Sequence, residues 1–184
     1  LGERAESKLP ELIEAGLSPH DIAAAFISGC VAQNKMERAE TLLRAWAADY
    51  PRHPHPVYMQ GVLHAMVANV KGAQAAFEEV LEMEPRHELA QIALAQQYEA
   101  TNRPAEAIEL YLRLAESLPE NPTILIGTAR TLRKLARTQQ AREVLAPLIA
   151  MPKPISALAV EMGHLEVETG HYDRAKTWFD QADA

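Results

Sequence analysis

The stretch from His55 to Pro85, HPVYMQGVLHAMVANVKGAQAAFEEVLEMEP, decides the reading of this chain. It holds two helical blocks, with Gly61 on the first, Ala73 and Phe77 on the second, and Pro85 as a stop. Counting outward in steps of 34 residues reproduces the pattern in both directions. Ala39, Ala73, Ala107, Ala141 and Ala175 keep that step of 34 without a slip. One helical turn after each alanine stands a large apolar residue: Leu43, Phe77, Tyr111, Leu145 and Phe179. Pro51, Pro85 and Pro119 follow at one further offset, and at the next repeat Pro152 and Pro154 bracket the equivalent Lys153. A small residue lies upstream in Gly61, Ala95, Ala129 and Gly163, with Ile27 the exception. Independent positions share one period and one phase, which is the signature of a repeat architecture.

The period has a physical cause. A small residue on one helix lets a second helix approach closely, and the alanine of the second helix does the same in return. The large apolar residue one turn on fills the space above that contact. Proline lacks the N–H needed to continue the hydrogen-bond ladder, so it ends the second helix and stiffens the turn. The pattern predicts first helices over residues 20–34, 54–68, 88–101, 122–135 and 156–169. It predicts second helices over 36–49, 71–83, 104–117, 138–150 and 172–183. Pro104 suits the opening turn of its helix. Pro147 falls inside one, and a kink or a stop near Leu145 is expected there.

These positions resemble the tetratricopeptide repeat family, bacterial-type arrays in particular. The likeness is carried by Gly61, Ala73, Phe77 and Pro85 in one unit and by Ala95, Tyr98, Ala107, Tyr111 and Pro119 in the next. The large aromatic that often opens the family motif is replaced by Val57, Gln91, Leu125 and Ala159. The resemblance implies an all-α fold, a right-handed α-solenoid of stacked antiparallel helix hairpins. One hairpin cannot bury its own apolar face, so the units must stack. The expected division is a single array. Residues 1–19 form the second helix of a preceding repeat plus a linker; 20–53, 54–87, 88–121 and 122–155 are full repeats; 156–184 is an incomplete last one. With no polar cap visible at either end, the chain reads as an excerpt of a longer array.

Composition narrows the function. The chain is 48% hydrophobic but only 5% aromatic, an Ala- and Leu-rich balance that favours helix over strand. A net charge of −7 disfavours nucleic acid as a partner. No apolar run is long enough to span a bilayer, so direct membrane insertion is not expected. The lone Cys30 excludes an intrachain disulfide framework and a thiolate zinc site. Glycines are scattered, with no phosphate-cradling loop and no serine elbow, so no catalytic residues and no cofactor are expected. His53 and His55 sit among prolines in a surface turn without a third ligand at metal spacing. Glu161 and His164 make one Glu-x-x-His pair, where a di-metal bundle needs two. No metal site is assigned, and the compartment is left open.

The resemblance also implies that first helices line an inner groove that takes a protein or peptide partner. On the first helix at Pro54, the residues turned away from the packing stripe are Tyr58, Met59, Val62 and Met66. They are either an adaptable apolar pocket or packing against the neighbouring first helix. Gln96 holds the corresponding place one repeat on, and Arg130, Arg133 and Lys134 the next. That basic group either grips acidic groups of a partner or answers Glu161 and Glu168 on the following helix. Some family members clamp a C-terminal carboxylate with lysines and asparagines; Ser28, Val62 and Gln96 stand where such an asparagine is sought, which argues against that activity. Three readings remain: a protein-binding scaffold in a larger assembly, part of bacterial envelope machinery for exopolysaccharide export or pilus assembly, or a substrate-presenting arm joined to a transferase. The partner list therefore holds proteins, peptides and neighbouring domains of the same full-length chain.

Overall fold

The computed structural model describes Gly16, residues 18–150 and residues 155–183. Among them lie ten helices and no strand: α1 Pro19–Ala32, α2 Met36–Asp49, α3 Pro54–Met66, α4 Val70–Met83, α5 Glu88–Ala100, α6 Pro104–Ser117, α7 Pro122–Lys134, α8 Thr138–Ile149, α9 Ser156–Glu168 and α10 Tyr172–Ala182. The helix expected over residues 1–16, Gly16 apart, and Lys153 with its flanking prolines fall outside the described residues. The fold is that of stacked antiparallel helix hairpins, and it divides within α5 into two compact units, Leu1–Ala90 and Gln91–Ala184.

Each hairpin turns the same way. Asn34, Ala68, Asn102, Ala136 and Gly170 all have positive φ, between 55° and 77°. Each follows a first helix and lets the chain reverse while satisfying its last carbonyls. The amide after each reaches five residues back: Lys35 to Cys30, Asn69 to His64, Arg103 to Tyr98, Arg137 to Leu132 and His171 to Glu166, at 2.8–2.9 Å. These bonds, with the positive φ, recur at the 34-residue step, so the turn is as regular as the packing.

In the amino-terminal unit α1 pairs with α2 and α3 with α4, while α3 also packs on α2 and α1. Its core joins Ile27, Cys30, Ala39, Leu43, Trp46, Met59 and Leu63. Gly61 is needed here, because a Cβ would sit 2.5 Å from the Phe77 ring. In the carboxy-terminal unit α7 pairs with α8 and α9 with α10, and α7 packs on α6 before it and α9 after it. Leu125, Ala129, Leu132, Ala141, Leu145, Leu148, Leu158, Met162 and Leu165 belong to its core. Gly163 meets Phe179 as Gly61 meets Phe77. Gly127, which the repeat pattern does not mark, performs the same service for Tyr111 of the preceding helix.

Pro147 does not stop α8, which continues to Ile149. Pro147 and Glu143 are both exposed. The carbonyl that the proline deprives of its helical donor therefore lies on the solvent side, where water serves as partner.

Candidate partner-binding site

The sequence-derived candidates separate by unit. Tyr58, Met59, Val62 and Met66 all lie on α3. Met59 is 7% exposed and belongs to the core with Ile27 and Leu63. Tyr58 and Val62 are half-buried, and the Tyr58 ring lies 5.7 Å from Phe77 and 5.4 Å from His87. Burial raises the pKa of the Tyr58 phenol. Met66, 54% exposed at the end of α3, is the one member of this stripe turned to solvent. Met59 thus belongs to the core and Tyr58 packs beside Phe77 and His87, so the stripe is not one contiguous exposed surface.

The carboxy-terminal unit brings Gln96 and Arg130 together. They line an open concavity of about 240 Å³ with Glu99, Tyr111, Pro122, Thr123, Ile126, Gly127, Ile155 and Ala157. Its walls come from α5, α7 and the start of α9, with Tyr111 of α6 at the back. Gly127 opens this space, since its missing side chain lets the Tyr111 ring lie against α7.

Below the rim lies a hydrogen-bonded network. Glu99 is only 8% exposed, and its carboxylate accepts from the Tyr111 hydroxyl at 2.8 Å and the Thr131 hydroxyl at 3.3 Å. Burial first, then the Glu99 charge and hydrogen bond, push the Tyr111 phenol well above its ordinary pKa, so it remains a donor. Lys134 donates to the Glu99 carbonyl at 3.1 Å. Glu161, 1% exposed, accepts from Arg133 Nε at 2.5 Å and Arg130 Nε at 3.3 Å. Arg133 also reaches Glu168 at 2.8 Å. Burial opposes the Arg133 charge, but its bonds to Glu161 and Glu168 outweigh that, and its pKa is raised.

The three cations therefore differ in what remains to them. Arg133 is 17% exposed and held by two carboxylates, the same Glu161 and Glu168 that the sequence offered as its counter-charges. Lys134 is exposed beyond its bond to the Glu99 carbonyl. Arg130 is 40% exposed, with longer contacts of 3.3 Å to Glu161 and 3.9 Å to Glu99. Its guanidinium keeps donors facing the concavity, a geometry suited to a carboxylate or carbonyl.

One further network was not read from the sequence. Arg142 of α8 donates to the buried Glu166 at 2.6 Å and to Thr169 at 3.0 Å. The bond to Arg142 is the main reason that the Glu166 carboxyl lies below its ordinary pKa. Neither partner departs from the repeat pattern, so nothing in the spacing singled them out. Among the described residues no group of three or more His, Cys, Asp or Glu is placed to hold a metal ion, and no helix is long and apolar enough to cross a membrane.

A protein of this fold is a helical-hairpin repeat protein. Residues 58–122 match the model of the tetratricopeptide repeat family. Solved structures share the fold at low identity. MamA from Desulfovibrio magneticus RS-1 aligns with a TM-score of 0.76 at 15% identity, over 89% of this chain and 92% of its own. PilF of Pseudomonas aeruginosa aligns with a TM-score of 0.75 at 17% identity, over 96% of this chain and 81% of its own. YrrB, described as a TPR protein with an unusual peptide-binding site, aligns with a TM-score of 0.72 at 15% identity, over 97% and 91%. No curated protein matches the chain in sequence.

Proposed function

We propose that this chain is a protein-binding scaffold and that the α5–α7–α9 concavity of the carboxy-terminal unit holds an extended segment of a protein partner. The observation that carries this reading is the composition of that concavity. Apolar Ile126 and Ile155 lie beside the exposed Gln96 amide and the partly free Arg130 guanidinium. Such a mixture suits a peptide, which offers an apolar side chain to the floor and backbone carbonyls or a carboxylate to the donors. The peptide-binding site ascribed to YrrB, which shares the fold, supports a peptide as the occupant. The role proposed is binding, and no residue is assigned to catalysis.

The partner segment carries at least one acidic group, placed against Arg130. Arg133 and Lys134 contribute by fixing the network behind it, since their own donors already meet Glu161, Glu168 and the Glu99 carbonyl. A displayed peptide library selected against the full chain tests this. Binders should lose at least tenfold in affinity when Gln96→Trp or Ala157→Trp fills the concavity from an exposed position. Leu112→Trp, exposed on the second helix α6, should leave them unchanged. Binders indifferent to both blocking substitutions, or a library that yields none, would remove the proposal.

A further inference from the structure

Four imidazoles meet in the amino-terminal unit, drawn from three separate elements. His20 opens α1, His53 and His55 flank the start of α3, and His87 precedes α5. The His20 and His53 rings stack with centroids 3.7 Å apart. His55 lies 4.9 Å from His53 and 5.9 Å from His87. Tyr50 packs edge-on to His20 at 4.7 Å. The turn from α2 to α3 and the turn from α4 to α5 thus converge on one cluster.

Three of these rings accept a hydrogen bond at Nδ1. The Trp46 indole N–H donates to His20 Nδ1 at 3.1 Å. The His55 backbone N–H donates to His53 Nδ1 at 3.3 Å, and the Ala90 backbone N–H donates to His87 Nδ1 at 3.1 Å. An indole or backbone N–H can only donate, so each Nδ1 must offer a lone pair. At His20, His53 and His87 these bonds form only while Nδ1 is unprotonated. The fourth, His55, has a buried Nδ1 with no hydrogen-bond partner.

Two of the bonds are helix caps. His53 accepts from the second residue of α3 and His87 from the third residue of α5, the work that Asn121 performs for α7 through Thr123 and Ile124. His53, His87 and Asn121 stand at one position of successive repeats. A protonated imidazole there loses its acceptor and sets a positive charge at the positive end of a helix dipole. Stacked as they are, His20 and His53 would also repel once both were charged.

We propose that the cluster of His20, His53, His55 and His87 is a proton-sensitive joint, closed when the imidazoles are neutral and released by acid. The charged groups facing it do not cancel this effect. Glu84 and Asp21 favour protonation, but burial and the neighbouring imidazoles outweigh them, and the pKa values of His53 and His55 fall below the ordinary 6.5. A histidine whose folded-state pKa is lowered contributes stability that is complete above the unfolded value. That contribution is lost as pH falls from about 6.5 through the folded-state pKa. Each such histidine weakens the folding equilibrium by up to about tenfold per pH unit in that window. A metal is the weaker reading for the same rings, because in three of them Nδ1 already accepts a hydrogen bond. Coordination would require breaking those bonds.

Amide hydrogen exchange on the full chain, expressed as protection factors at pH 7.5 and pH 5.5, tests the joint. Protection of the His55 and Ala90 amides should fall tenfold or more at pH 5.5, while that of Ile124 under Asn121 should change by less than threefold. The double variant His53→Asn, His87→Asn keeps two caps that do not titrate, and it should lose most of this pH dependence. Equal protection at both pH values in the parent, or an undiminished loss in a folded double variant, would overturn the proposal. Should the variant not fold, imidazole nitrogen spectra of the parent at pH 7.5 decide instead. Unprotonated Nδ1 in His20, His53 and His87 supports the joint, and protonated Nδ1 in two of them sinks it. A Zn²⁺-dependent rise in melting temperature that vanishes in a folded double variant would likewise replace the proton with a metal.

Discussion

The two units share one backbone and hold their first helices by different chemistry. In the amino-terminal unit α3 starts under the imidazole cap of His53, and His87 caps the start of α5, with four imidazole rings packed together. In the carboxy-terminal unit α7 starts under an amide, and its Thr131, Arg130 and Arg133 meet two buried carboxylates, Glu99 of α5 and Glu161 of α9, with Tyr111 of α6 also donating to Glu99. The left-handed turn residue and the packing of small against large residues are common to both. The repeat thus sets the backbone path and leaves the chemistry of the first helices free to differ. One unit relies on imidazoles, the other on carboxylates and guanidinium groups.

The largest effect should come from removing a guanidinium from the second kind of unit. Arg133→Leu takes away the 2.5 Å partner of Glu161, which is 1% exposed, and the partner of Glu168. A buried carboxylate left with the longer 3.3 Å contact of Arg130 alone is costly, about 3 kcal/mol by the usual cost of breaking such a pair. Urea denaturation at pH 7 measures it. Glu106→Gln breaks only the exposed 2.8 Å pair with Arg103 and should leave stability within error of the parent. Equal losses at Arg133 and Glu106 would mean that the buried network holds nothing together.

Packing gives the next effect and applies to either unit. Ala107 is fully buried where α6 meets its neighbours. Ala107→Leu should cost about 1–3 kcal/mol through overpacking. A thermal melt that leaves Ala107→Leu within error of the parent would break the close-approach account of the alanine series.

Acid should separate the units in order. The amino-terminal unit should weaken first, as pH falls below 6.5 and His53 and His55 take up protons that the fold disfavours. Glu166 has a carboxyl pKa lowered from 4.5 chiefly by Arg142, so its contribution is complete above 4.5 and disappears only as pH falls through the lowered value. Residue-resolved exchange across a pH series should show two steps. A single step shared by both units would erase the contrast.

The sequence carried the hairpins well because packing repeats at fixed offsets. Predicted and observed helices agree to within two residues at each described end, and Ala39, Ala73, Ala107, Ala141 and Ala175 are all buried. The sites were less legible. Met59 reads from spacing as an outward apolar residue, yet it fills the core of the amino-terminal unit beside Ile27, because a first helix has a second buried face against the preceding repeat. His20 and His87 do not read as neighbours of His53 and His55, because they are remote from them in sequence. The 34-residue step between His53 and His87 was the available clue. Arg142 and Glu166 meet across two helices and leave no trace in the period.

The smallest effect tests the feature that both units share. Ala68 and Ala136 occupy the left-handed turn position with φ of 56° and 58°, where Asn34, Asn102 and Gly170 stand in the other hairpins. A Cβ in this region costs roughly 1–2 kcal/mol, a strain that glycine does not carry. Against this, glycine raises the entropy of the unfolded chain and returns about 0.4–1 kcal/mol of the gain. Ala68→Gly and Ala136→Gly should therefore each stabilise the chain by about 0.5 kcal/mol. Both residues are exposed, so no packing is lost in either exchange. Asn102→Gly should do less, because asparagine tolerates this conformation better than alanine. Chemical denaturation of the three variants reads the difference, with Ala68→Gly reporting on the amino-terminal unit and Ala136→Gly on the carboxy-terminal one. Gains of similar size at Ala68 and Ala136 would make the turn a property of the repeat itself. A gain at one and a loss at the other would show that the side-chain chemistry of each unit reaches down to its turns, and the separation of backbone from first-helix chemistry would have to be abandoned.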